Sequence, residues 1–191
     1  MAYAMASTGL TDRMIRAARL DVNVYEEVEA DTNATSQALM VVVMASLAGG
    51  IGAAISAAIA GGRAGNPIGG LVGGVLGELF GWAVMSYVMY FVGTRLFKGT
   101  ATYGELLRTL GFAYSPGVLL VLRFIPVLGG LIFAAVNIWR LATGFIAIRQ
   151  ALDLDTGNTI ATIVVGFIGY LAVFAAIGFL LAPLGFIAGF F

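Results

Sequence analysis

The sequence contains no cysteine and no histidine. Without cysteine there is no disulfide, no thiolate nucleophile and no sulfur ligand for zinc. Without histidine the usual general base is missing, and so is the imidazole that holds haem or chlorophyll. Any chemistry has to run on carboxylates, tyrosine, lysine or arginine. Charge is scarce as well. Charged residues make up 10% of the 191 positions, against about a quarter in soluble domains. The ten basic and ten acidic residues cancel, so the basic excess that nucleic-acid binding needs is absent.

What is abundant is apolar. Hydrophobic residues form 60% of the chain and the mean hydropathy is +0.99. They fall in long runs rather than at one-face helical spacing, which is the pattern of membrane-spanning segments. No cleavable leader pattern is visible, and the first apolar run, from about Ser36, is expected to act as its own insertion signal.

Residues 1–35 form the polar N-terminal segment. Within it Thr11–Leu20 reads as an amphipathic helix capped by Thr11 or Asp12. Leu10, Met14, Ala17 and Ala18 favour one side and Arg13, Arg16 and Arg19 another. The expectation is an interfacial helix whose arginines contact an anionic lipid surface; the plainer alternative is a solvated helix. The acidic run Glu26, Glu27, Glu29 and Asp31 is expected to be solvated, with a cation or a basic partner as the alternative.

The membrane domain, 36–181, divides into five spans of about 36–61, 67–97, 106–122, 127–148 and 159–181, followed by an apolar tail, 182–191. The division of 109–139 into two spans rests on Arg123, Pro126 and the Gly129-Gly130 pair; one long helix there would give four spans instead. Pro116 should bend the third span or mark its start. With five spans, seven Lys or Arg residues fall on the N-terminal side and Arg63 and Arg123 on the other. That bias predicts a cytoplasmic N-terminus and an external C-terminus.

Gly69, Gly73, Gly77 and Gly81 repeat every fourth residue in the second span, with Gly70 and Gly74 beside them. A phosphate loop would need G-x-x-x-x-G-K-[ST], which is absent, and Leu, Val and Phe fill the gaps too densely for a linker. The expected role is close helix packing. The matching small row in the first span includes Gly49, Ala53 and Ala57, and the short RAGNP turn should hold the two spans antiparallel. A homodimer contact is the lesser option.

Glu78 lies inside that glycine run. An ionisable residue in a span costs a few kcal/mol, so it usually has a partner or a task. Glu78 lies 11 residues on from Pro67, and Arg140 lies 13 on from Val127. Both spans run in the same direction, so the two charges share a depth. They are expected to form an intramembrane charge pair, with Asn137 completing its hydrogen bonds. The pair would be structural glue, or a proton or ion site; alternatively Glu78 is protonated or faces a partner subunit. Trp82 and Trp139 read as packing residues and Arg123 as a turn and headgroup contact. Asp153, Asp155, Thr156, Asn158 and Thr159 read as a polar turn capping the fifth span. No nucleophile–base constellation, metal motif or cofactor motif emerges, so no enzyme and no cofactor are expected.

Residues 98–116, KGTATYGELLRTLGFAYSP, and 137–152, NIWRLATGFIAIRQAL, carry an ordered set of features. These are Gly99, Glu105-Leu106-Leu107-Arg108, Gly111-Phe112-Ala113, Pro116, Ile138-Trp139 and Arg149. In that order and spacing they resemble the Yip1 family over about 36–181. The resemblance implies an all-α membrane protein of five spans with a cytoplasmic N-terminus. Eukaryotic members act in vesicle traffic between endoplasmic reticulum and Golgi and associate with Rab GTPases. This chain lacks their D-L-x-G-P motif and has a short polar N-terminus, which resembles the prokaryotic branch and implies a bacterial cytoplasmic membrane. The expected function is that of a non-catalytic scaffold or membrane-organising protein, with the bilayer and other membrane proteins or itself as partners. The alternatives are an accessory subunit of a larger complex, and a small-solute or ion permease component using Glu78 and Arg140.

Overall fold

The computed structural model describes residues 9–61 and 67–182. Among these it is entirely helical. Two short helices, α1 (Leu10–Ala18) and α2 (Val22–Ala30), precede α3 (Ala34–Ile59) and α4 (Pro67–Leu96). Then come α5 (Tyr103–Ala113), a 3-10 segment (Ser115–Phe124), α6 (Gly129–Ala151) and α7 (Thr156–Leu181). Five stretches are long and apolar enough to cross a membrane, with α5 and the 3-10 segment together making the third. Five spans therefore stand where four were the alternative. The C-terminal tail beyond 182 and the turn holding Arg63 lie outside the described residues.

Local chemistry sets the helix ends. Asp21 accepts a hydrogen bond from Asn23 N and caps α2. Thr102 and Glu105 form a reciprocal capping box at the start of α5, satisfying two amides that the helix leaves unpaired. The Asp155 carboxylate accepts from Gly157 N at 2.8 Å and Asn158 N at 3.1 Å, capping α7. At the far end of α3, Gly61 takes φ +71° just past the last turn, a left-handed stop that glycine adopts without strain. Pro116 sits in the first turn of the 3-10 segment, where its missing N–H breaks no hydrogen bond. The third span therefore changes from α to 3-10 at Tyr114, and it begins at Tyr103 rather than at Pro116.

The interior forms where small residues let backbones meet. A Cβ on Gly111 would lie 2.6 Å from Ala38 Cβ, one on Gly117 2.9 Å from Ala45 Cβ, and one on Gly52 2.3 Å from Leu120 O. The small face of α3 thus packs on the third span. The first two spans do meet, as expected, but the closest backbone approaches of α3 are to the third span. Gly49 has Leu120 as its neighbour at 3.6 Å; α4 reaches α3 near its own start, where Leu71 fills the space beside Gly50. α7 leans on α4 through Phe80 and Phe174, whose rings meet edge to face at 5.8 Å, and through Gly166 against Met89.

Burial follows this arrangement. The best apolar window of the third span is 61% buried and that of α3 33%, while those of α4 and α7 are 11% and 6%. The fully buried side chains, among them Tyr25, Val28, Val41, Leu106, Phe112 and Leu152, gather at the end of the bundle that carries α1 and α2. The loops between spans are stitched at that end too: Thr100 N donates to Leu152 O at 3.1 Å and Thr100 Oγ1 to Asp153 at 2.8 Å.

Candidate functional site

Two polar assemblies stand out from the apolar bundle. The first lies within the spans. α4 presents Glu78 and α6 presents Arg140, and the guanidinium meets the carboxylate through two parallel contacts, Nη1 to Oε1 and Nη2 to Oε2, each 3.4 Å. Strong charge-assisted hydrogen bonds are shorter, at about 2.7–2.9 Å, so this is a loose bidentate pair. The guanidinium carbon stands 4.1 Å from the Tyr114 ring centroid, close enough for a cation–π contact. Tyr114 is placed there by the α-to-3-10 change. On the α7 side, the Tyr170 hydroxyl comes to 3.0 Å from where a Gly81 Cβ would sit. The side chains of Arg140 and Glu78 remain 19% and 37% exposed, so the pair is open on one side rather than sealed in the core. Chemically it is a fixed cation and a carboxylate at one depth, flanked by aromatic rings.

Asn137 is not part of this group. Its amide donates to Phe133 O at 2.8 Å within its own helix and faces outward, because four residues back along a helix is the nearest carbonyl its short side chain can reach. Thr143, one turn beyond Arg140, was not singled out in the sequence. It is fully buried and its hydroxyl lies 2.8 Å from Ala113 O, tying α6 to the end of α5.

The second assembly is the cap formed by α1 and α2. Arg13 is only 6% exposed. It donates to Glu27 and Gln37 and pairs with Asp31, each at 2.9 Å. Arg16 meets Asp21 at 2.9 Å, Glu27 at 2.7 Å and Asp12 at 3.7 Å. The arginines expected on a lipid surface are therefore divided. Arg13 and Arg16 turn inward onto the acidic helix that follows them, and Arg19 stays exposed. The physical reason is proximity: the Arg19–Asp21 turn folds α2 back on α1, and nearby carboxylates outcompete distant phosphates. The hydrogen bond from Arg16 holds the Asp21 carboxyl below its ordinary range, and the bonds to Asp21 and Glu27 push Arg16 up.

Besides the Arg13–Gln37 bond, the cap is anchored to the spans at four further points. Arg108 Nε donates to Val28 O at 2.9 Å and its Nη2 to Glu29 O. Gln150 donates to Glu26 at 2.6 Å, and Trp139 Nε1 to Ala18 O at 2.7 Å. Tyr25 is fully buried and donates to Ala17 O at 3.2 Å; burial pushes its phenol up. Glu29 is pushed up to about 7, first by burial and then by Glu26, Glu105 and Asp153, against the pull of Arg108. One of its carboxylate oxygens is buried without a hydrogen-bond partner. The sequence did not single out Arg108 as an anchor. The available signal was an arginine inside an otherwise apolar stretch facing an acidic segment.

The expected glycine face is divided as well. Cβ atoms on Gly70, Gly74 and Gly77 would meet nothing within 4 Å, whereas Gly81 faces Tyr170. Ala53 and Ala57 of α3 are both half-buried, and Gly69 and Gly73 lie on the first two turns of α4. Among the described residues no group of three or more carboxylates is placed to hold a metal ion.

A family model described as the Yip1 domain matches residues 22–188, from the first residue of α2 through all five spans. No curated protein and no solved structure matches the chain.

Proposed function

The chain belongs to the Yip1-domain family, and from that premise we propose that it is a non-catalytic membrane protein that works through contacts, as a scaffold or organiser of other membrane proteins or of further copies of itself. The observation that carries this reading is the outward face of α4. Gly70, Gly74 and Gly77 have no neighbour within 4 Å of an added Cβ, and Ile68, Val72 and Leu76 beside them are exposed. In a bilayer apolar exposure alone does not drive association, because lipid is as apolar as leucine. Close backbone approach does, and a glycine face is what permits it. The test is in-membrane cross-linking of the full chain with Gly74→Leu and Gly77→Leu. Loss of the cross-linked species supports the reading; unchanged association in both variants overturns it.

The N-terminal cap suits the same role. Ile15, Leu20 and Val22 are exposed together with Arg19, so the α1–α2 hairpin presents apolar residues and one unburied arginine to the membrane interface. The distribution of Lys and Arg supports a cytoplasmic N-terminus, and the lack of the eukaryotic D-L-x-G-P motif supports a bacterial cytoplasmic membrane. A reporter fused after Phe191 that is active in the cytoplasm would reverse that orientation.

A second reading is favoured by one observation, the half-open Glu78–Arg140 pair within the spans. Polar pairs at such depth line solute or proton paths in permeases. Flux through reconstituted liposomes, abolished by Glu78→Gln, would replace the scaffold reading; no flux would leave the pair a structural bridge. An accessory-subunit role would show as a defined second protein that co-purifies in mild detergent and is lost with the α4 variants.

A further inference from the structure

Among the described residues, the end of the bundle remote from α1 and α2 carries no acidic side chain. Six acids lie between Asp12 and Asp31, three more are Glu105, Asp153 and Asp155, and all nine belong to the capped end. The tenth, Glu78, lies within α4. The remote end nonetheless holds a guanidinium. Arg123 lies in the last turn of the 3-10 segment, and its stem lies against Gly52, where a Cβ would come 2.9 Å from Arg123 Cγ. Its head stands 4.9 Å from the Phe133 ring centroid. Arg123 lines a 460 Å³ cavity with Ser56, Ile59, Gly130 and Phe133, a volume within the range of about 300–1,000 Å³ typical of ligand pockets.

The wall of that cavity is built against local preference. Val127, which lines it, holds φ +69°, a left-handed conformation that β-branched residues avoid. Gly129 follows, so tightly folded that a Cβ would lie 2.0 Å from Arg123 O. This turn brings the start of α6, which has no side-chain cap, to the same cavity. Its free amides add to the positive field of the guanidinium.

We infer that this cavity binds a phospholipid of the adjacent leaflet, with the phosphodiester on Arg123 and an acyl chain along Ile59 and Phe133. A cation at the membrane boundary that has no protein carboxylate takes its counter-charge from the headgroup layer. The apolar walls select a lipid over free phosphate. No acidic side chain lines the cavity, which disfavours a choline or ethanolamine ammonium, since it would sit beside Arg123 unpaired. Phosphatidylglycerol is therefore preferred to phosphatidylcholine.

Native mass spectrometry of the full chain in mild detergent, titrated with each lipid and with inorganic phosphate, tests this. One phosphatidylglycerol should bind on the order of tenfold more tightly than phosphatidylcholine, the margin of a charge-assisted contact. Arg123→Gln should remove that preference, and Arg123→Lys, which keeps the charge and loses the planar fork, should retain part of it. Gly130→Leu fills the cavity, because a Cβ there meets nothing within 4 Å; it should abolish the tight site with the charge intact, even if Arg123→Gln fails to fold. Equal affinity for the two lipids, retention of the preference in Gly130→Leu, or displacement of the lipid by inorganic phosphate at equal concentration would overturn the proposal.

Discussion

The two ends of α3 meet their neighbours by different physics. At its start, beside α1 and α2, polar groups are drawn inward. Arg13 is buried among Glu27, Asp31 and Gln37, and Arg108 is spent on the carbonyls of Val28 and Glu29. Along its apolar length, contact depends on the absence of side chains: Gly52 under Leu120 O, and Gly111 and Gly117 against Ala38 and Ala45. α4 and α7 do neither over most of their surface and remain exposed. Outside the bilayer a helix pair is held by what its side chains offer. Inside it, contact depends on how closely the backbones can come. The chain uses both means within one helix.

The comparison breaks first at Arg13. Arg13→Gln takes the guanidinium from Asp31 and one of two from Glu27, which keeps Arg16, and breaking a buried pair in this way costs about 3 kcal/mol. The loss should appear as detachment of α1 and α2, read as faster amide exchange over 10–30 with the spans protected. Uniform destabilisation of the spans would show that the cap and bundle are one unit. Next is Gly52→Ala. Its methyl group has to displace the backbone of the third span, an overpacking penalty of about 2 kcal/mol, measured by reversible unfolding in mixed detergent. An unchanged midpoint would mean that the α3 seam is looser than its distances.

Glu78→Gln and Arg140→Gln should each cost about 2 kcal/mol, because each leaves the other member of the pair stranded within the spans. The double variant should cost less than the sum of the two. Additive losses would show the charges to be independent.

The pH response is smaller and confined to the cap. Glu29 stands at about 7 in the fold, above its unfolded value, so the folded state holds its proton more tightly. The Glu29 contribution to cap stability is then full below its ordinary value of 4.5 and is lost as pH rises through about 7, whereas the Asp21–Arg16 contribution is lost in the opposite direction, as pH falls. The groups facing Glu29 are Glu26, Glu105, Asp153 and Arg108. Trp139, bonded to Ala18 O, reports cap docking by fluorescence, and Glu29→Gln should flatten the profile. A profile that persists in that variant assigns the response elsewhere. Smallest of all is Gly74→Ala. The Cβ has open space and alanine favours helix by up to about 1 kcal/mol, so the isolated chain should be unchanged or slightly more stable. A loss comparable to Gly52→Ala would erase the distinction between the seam and the outward face.

Much of this architecture can be read from the residues. Hydropathy is a one-dimensional signal, so the five apolar stretches were visible directly. That Pro116 marks a break in the third span was legible too, since its ring and missing N–H act locally; that the break is a change of winding inside a span beginning at Tyr103 was not. Counting from the span ends puts Glu78 and Arg140 at one depth. What was hidden is partner choice. α3 carries two adjacent small rows, through Gly49 and through Gly50, and periodicity marks the faces without saying which helix each one meets. Likewise a row of arginines looks the same whether it faces water, lipid or an acidic helix ten residues on. Arg13 and Arg16 met Glu27 because of the turn at Arg19–Asp21, which no composition argument supplies. Asn137 was assigned by proximity in sequence to Arg140, but its reach favoured its own helix.

The 3-10 winding of Ser115–Phe124 has one more consequence. At three residues per turn and about 2.0 Å rise, side chains at i and i+3 stand in a straight file rather than a spiral. Gly117, Leu120 and Arg123 are one such file, and each of them lies against α3, at Ala45, at Gly49 and at Gly52. Ten residues so wound cover about 20 Å where an α-helix would cover about 15, so the span with the fewest residues loses no reach. Tolerance to substitution along this half of the span should therefore rise and fall with a period of three, while the α-helices around it keep 3.6.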